Sequence, residues 1–97
     1  MKIKLSPEVN VTLKKLKLKD PKMAVKAEKQ LALFVQNPKH PSLRTHKLTG
    51  KVESRWSISI SKSIRMVYVG VQKEKDEEPT AYFVAIGTHD QVYREKK

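Results

Sequence analysis

The stretch WSISISKSIRMVYVGV, residues 56–71, decides the fold of this chain because two apolar patterns meet in it. Trp56, Ile58 and Ile60 alternate with serines, which is the period of a half-buried β-strand. Residues 64–71 are nearly all apolar, which is typical of a central strand. The polar residues 61–63 between the two patterns can turn the chain, so the stretch predicts two antiparallel strands.

Two helices are predicted upstream, where the same capping signal occurs twice. Ser6-Pro7-Glu8 offers a cap, a proline for the first turn and an acidic residue for the positive helix end. Asp20-Pro21 repeats this signal, so a second helix begins after almost no linker and ends at Asn37-Pro38. The apolar stripes that should face the core are Val9, Leu13 and Leu16 in the first helix and Met23, Ala27, Leu31 and Phe34 in the second, with Ala24 and Val35 beside them.

The remaining segments complete the order of elements. Residues 2–5 read as a short strand, residues 38–54 as an ordered surface connection, residues 72–80 as a charged hairpin loop and residues 81–87 as the last strand. We therefore expect one α+β domain over residues 1–97, in which a helical hairpin packs on an antiparallel sheet completed by three C-terminal strands.

The charge balance indicates a polyanionic partner. Lys and Arg total 21 against 10 Asp and Glu, and residues 1–50 alone hold 12 basic and 3 acidic side chains. The absence of cysteine excludes disulfides, thiolate nucleophiles and zinc sites with sulfur ligands. With no apolar run long enough for a signal peptide or a membrane span, we expect a cytoplasmic protein without contact to a membrane.

Few residues offer chemistry near neutral pH, and a charged residue inside an apolar strand stands out among them. Arg65 must reach a sheet edge, pair with Glu53 or Asp90 inside the fold, or face a cleft and bind a phosphate. His46 lies in the connection before the second strand, and His89 follows the last strand. Nothing beyond its position suggests a functional role for His40, which is expected at the surface.

Three segments resemble the RelE/ParE toxin superfamily of prokaryotic type II toxin–antitoxin systems, most closely the RelE, YoeB and YafQ mRNA interferases. They are LTGKVESRWSISI (48–60), IRMVY (64–68) and FVAIGTHDQVY (83–93). The resemblance implies a RelE-like fold, a toxin that cuts mRNA on the ribosome without cofactor or metal, and a cognate antitoxin as partner.

The resemblance also implies roles for individual residues. His46 would be the general base, Arg65 would stabilise the transferring phosphate, His89 would be the general acid, and Tyr93 would orient the substrate by stacking. Secondary candidates for RNA contacts are Lys47, Lys51 and Arg55. Two alternatives stay open, a ParE-like toxin that binds DNA gyrase and a basic RNA-binding module with idle histidines.

Overall fold

The computed structural model describes residues 1–48, 55–71, 78–88 and 91–92. Within these ranges the chain forms two α-helices, a 3₁₀ turn and five strands. In chain order the elements are β1 (Lys2–Leu5), α1 (Pro7–Lys19), α2 (Pro21–Gln36), the 3₁₀ turn (Pro41–Leu43), β2 (His46–Leu48), β3 (Arg55–Ser59), β4 (Ile64–Val71) and β5 (Thr80–Thr88). The predicted α+β fold is confirmed.

Both helices begin at the predicted caps. The hydroxyl of Ser6 accepts a hydrogen bond from the Val9 N–H at 3.1 Å, and the Asp20 carboxylate accepts one from the Met23 N–H at 3.2 Å. The Asp20 N–H also donates to the Leu16 carbonyl at 2.7 Å, so Asp20 closes α1 and opens α2. A single residue shared by two helix ends explains why the hairpin needs no linker.

The five strands lie in the order β1-β5-β4-β3-β2. The β2–β3, β3–β4 and β4–β5 pairs are antiparallel, whereas β1 runs parallel to β5. The sheet is therefore mixed, and the expectation of a fully antiparallel sheet was wrong for β1. That expectation considered only the hairpin connections between neighbouring strands, whereas β1 pairs with a strand more than 70 residues later in the chain. The structure also adds β2 within the segment that was predicted as a surface connection, and its Leu48 is buried.

The core lies between the helical hairpin and one face of the sheet. Phe34 of α2 packs edge-on against Tyr68 and Phe83, with ring centroids 5.0 and 5.4 Å away, and Trp56 stacks on Tyr68 at 5.7 Å. Burial raises the pKa of the Tyr68 hydroxyl above its ordinary value of 10.0. Most residues of the predicted helix stripes are buried in this core or pack against it. Leu16 is half-buried and is not part of the core cluster, and Val35 is 39% exposed.

Candidate functional site

The sheet has a second face, turned away from the aromatic core, where the polar residues of β3 and β4 collect. Side chains on directly opposed residues of paired strands share a face, and His46 is opposed to Ser57 while Arg65 is opposed to Ser59 and Gly87. We call the face defined by His46, Ser57, Ser59, Arg65 and Gly87 the outer face. It brings together two of the predicted catalytic residues, His46 and Arg65.

Arg65 is held on the outer face by neutral oxygen atoms. Its Nε donates to the Ser57 hydroxyl at 2.9 Å, and its Nη2 donates to the Arg44 carbonyl at 2.7 Å and to the Ser57 carbonyl at 3.4 Å. Among the residues that the structure describes, no carboxylate pairs with Arg65 and no acceptor contacts its Nη1. The predicted alternative partners, Glu53 and Asp90, lie outside those residues. The described part of the site thus presents an oriented guanidinium with a full positive charge.

The hydroxyl that orients Arg65 comes from an unexpected burial. Ser57 was expected on the exposed side of a half-buried strand, yet it has no solvent-exposed surface. A buried hydroxyl requires a hydrogen-bond partner, and the Arg65 Nε–H is one. The pair therefore fixes the direction of the guanidinium as well as satisfying the serine.

The second acceptor for Arg65 is positioned by the 3₁₀ turn. Arg44, which ends this turn, has a positive φ of 48°, a conformation that non-glycine residues adopt rarely and often near functional sites. His40 caps the start of the same turn, since its Nδ1 accepts the Ser42 N–H at 3.1 Å. His40 was expected to be an ordinary surface residue, but its place in the fold is at the start of the turn that directs the Arg44 carbonyl toward Arg65.

His46 is the first residue of β2 and is exposed. Because β2 pairs with β3 at the edge of the sheet, His46 is opposed to Ser57, the residue to which Arg65 donates. The described part of the chain contains no group of three or more His, Cys, Asp or Glu residues arranged to hold a metal ion. In this region the chemistry available is that of an imidazole on the same sheet face as a fixed cation.

The described secondary candidates for RNA contacts lie on different faces of the sheet. Arg55 lies on the outer face, four residues along β3 from Ser59 and thus about 13 Å away along the strand. Lys47 is opposed to Trp56 and lies on the other face, where its Nζ sits 5.8 Å from the Trp56 ring centroid. Lys51, His89 and Tyr93 lie outside the described residues.

Two residues that sequence reasoning missed lie at the end of β5. The Thr88 N–H donates to Gln91 Oε1 at 2.8 Å, and the Gln91 N–H donates to Thr88 Oγ1 at 3.3 Å, which is a capping box. A Cβ added to Gly87 would lie 2.5 Å from Gln91 Oε1, so the Gln91 side chain covers Gly87 beside Arg65. The Thr-x-x-Gln spacing of residues 88–91 was the signal that could have predicted this turn.

Comparison with known proteins supports the fold but not a close relationship. No protein-family model and no curated protein matches this sequence. Among solved structures, a YoeB/ParE toxin from Agrobacterium tumefaciens has a TM-score of 0.74 at 18% identity, with 92% of this chain and 99% of that one covered. A YoeB dimer from Staphylococcus aureus has a TM-score of 0.67 at 22% identity, covering 92% and 97%.

A third solved structure has the higher sequence identity of the three. It is a metal-bound toxin from Helicobacter pylori, with a TM-score of 0.63 at 26% identity, covering 95% of this chain and 98% of that one. Two of the three are named as toxins, and two carry the YoeB name. The resemblance to the RelE/ParE superfamily is thus confirmed at the level of the fold.

Proposed function

We propose that this protein is the toxin of a type II toxin–antitoxin pair and that it is a metal-independent endoribonuclease acting on mRNA at the ribosome. The observation that supports this most strongly is the fixed guanidinium of Arg65, which has no carboxylate partner among the described residues, on the sheet face that also bears His46. A nuclease that works without a metal needs a cation of this kind for the charge that develops on the phosphate.

The proposed reaction uses three side chains. His46 accepts the proton of a 2′-hydroxyl as its oxygen attacks the adjacent phosphorus, and Arg65 stabilises the added negative charge with its planar N–H fork. The bond from phosphorus to the 5′-oxygen breaks, and His89 donates a proton to that oxygen. The products are a 2′,3′-cyclic phosphate and a 5′-hydroxyl, while Tyr93 stacks on a base to orient the substrate.

The decisive experiment maps RNA ends in cells after brief induction of the protein. New 5′-hydroxyl ends within translated frames are expected for the wild type. Arg65→Lys keeps one positive charge but loses the fork, so it should lower cleavage by about 10²- to 10³-fold. His46→Ala should lower it by about 10²- to 10⁴-fold. Lys15→Gln, an exposed change on α1, is the matched control and should leave cleavage unchanged.

Two outcomes would contradict the proposal. Intact mRNA together with supercoiling defects would indicate the gyrase-binding alternative. Full growth inhibition by Arg65→Lys with His46→Ala, in a protein that is folded by circular dichroism, would show that these groups do no chemistry.

A further inference from the structure

A basic groove lies between α2 and the turn that joins β3 to β4. Its volume is about 790 Å³, within the range of about 300–1,000 Å³ typical of ligand sites. Five cationic side chains line it, and none of its lining residues is acidic. These cations are Lys26, Lys29, Arg44, Lys62 and Arg65.

Hydrogen bonds connect the elements that line the groove. Gln30 of α2 donates through Nε2 to the Ser59 carbonyl at 2.8 Å and to the Ser42 carbonyl at 3.3 Å. One side chain thus ties the helix to β3 and to the 3₁₀ turn. Arg65 is bonded to the Arg44 carbonyl, which joins the same turn to β4. The cations therefore surround a concavity whose walls are connected to one another.

Like charges that share a concave surface repel one another, and a bound polyanion relieves that repulsion. Lys26 and Lys29 are three residues apart on α2, so they lie on one face of the helix, and Lys62 faces them from the β3–β4 turn. Arg65 lies in the same lining, so the groove is continuous with the residue to which we assign the scissile phosphate.

A second groove differs from the basic groove in having the apolar lining that a protein partner would require. It lies between α1 and β5, has a volume of about 480 Å³ and is lined largely by apolar residues, with Glu8 as the charged residue among them. Apolar side chains of a protein partner would gain from burial there. The basic groove instead offers five cationic side chains, which suit a phosphodiester chain better than an amphipathic segment.

We propose that Lys26, Lys29 and Lys62 bind the phosphates of single-stranded RNA that leads away from Arg65 through the basic groove. This inference rests on the proposed function for the direction of the strand. The contacts are to phosphate and not to bases, so they increase affinity without selecting a sequence.

The test is the binding of a 12-nucleotide RNA that is fully 2′-O-methylated, which cannot be cleaved by 2′-hydroxyl attack. Fluorescence anisotropy is measured at several salt concentrations. Log affinity falls with log salt, and each lost phosphate contact makes this negative slope less steep by about 0.7 for a single strand. Lys26→Gln with Lys29→Gln should therefore make it less steep by about 1.4. The matched control is Lys14→Gln with Lys15→Gln, which removes the same charge from exposed positions of α1 outside the groove, and its slope should stay near that of the wild type.

Equal slopes for the groove variant and the α1 control would overturn the proposal. So would an unchanged RNA slope with lost binding to a polyglutamate probe, since it would assign the groove to an acidic protein. Because the RNA is not cleaved, failure of the two proposals can be told apart. A changed slope in a protein that produces no mRNA ends supports the groove and rejects the nuclease. Equal slopes in a protein that does produce them reject the groove alone.

Discussion

The two faces of the sheet differ in what they bury besides apolar side chains. The face under the helices is closed by rings and aliphatic side chains, with Phe34, Met66 and Phe83 fully buried. The outer face also buries apolar side chains, Val67 and Leu48, but it contains in addition a fully buried polar residue, Ser57, which is satisfied by a hydrogen bond from a cation. Apolar burial thus stabilises both faces, whereas on the outer face a buried polar residue in addition sets the direction of one charged group.

The largest expected effect tests the aromatic face. Phe83→Ala removes a ring that contacts Phe34 and Tyr68 and should lower the free energy of unfolding by about 3–5 kcal/mol. Val35→Ala is the matched control, since Val35 is 39% exposed, and should change it by no more than about 0.5 kcal/mol. Denaturant unfolding followed by circular dichroism measures both. Similar losses for the two variants would show that the rings are not the source of stability.

A smaller effect is expected where β5 ends on the outer face. Gly87→Ala places a methyl group against Gln91 and breaks the capping box, which should cost about 1–2 kcal/mol. Gly70→Ala is the control, because the nearest atom to its added Cβ is in Trp56 at an ordinary 3.8 Å. If both glycines tolerate alanine equally in denaturant unfolding, the contact with Gln91 does not constrain the chain.

Ser57→Ala distinguishes the two kinds of burial directly. It removes the acceptor of the Arg65 Nε–H, and we expect a loss of about 1–3 kcal/mol. The control Ser59→Ala removes a hydroxyl that bonds to the Ser61 carbonyl in a partly buried position, and should cost about 1 kcal/mol or less. The proposed cleavage should also fall in Ser57→Ala and remain in Ser59→Ala. A Ser57→Ala variant with unchanged stability and cleavage would mean that Arg65 needs no such support.

The smallest effect is a pH dependence of the aromatic face. Burial raises the pKa of Tyr68 in the folded protein, so the folded state retains the proton to higher pH than the unfolded state does. The resulting contribution to stability is complete below pH 10 and is lost as pH rises through the higher pKa of the folded protein. Unfolding measured between pH 9 and 11 should show a steeper loss for the wild type than for Tyr68→Phe. Parallel curves for the two proteins would exclude Tyr68 as the source of the pH-dependent loss of stability.

Local signals predicted the helices well because capping is a matter of neighbouring residues. Ser6 and Asp20 bond to N–H groups only three residues away, so their roles can be read directly from spacing. The candidate site was harder to predict. Arg65 was identified because a charged residue is unusual in an apolar strand. Its acceptor, the Arg44 carbonyl, is 21 residues away in sequence. No pattern in the neighbouring sequence predicts such a hydrogen-bond partner.

Local sequence patterns were enough to predict the two capped helices, the strand pair of residues 56–71 and the basic character of the surface. These depend on the period of apolar residues and on short-range hydrogen bonds, which are local properties. The fold as a whole was needed to show that β1 runs parallel to β5, that Ser57 is buried and bonded to a guanidinium, and that α2 supplies lysines to the groove of Arg65. The β1–β5 pairing and the groove join segments far apart in the chain, which sequence patterns do not relate to one another. Ser57 and Arg65 are only eight residues apart, but their bond depends on the register in which β3 pairs with β4.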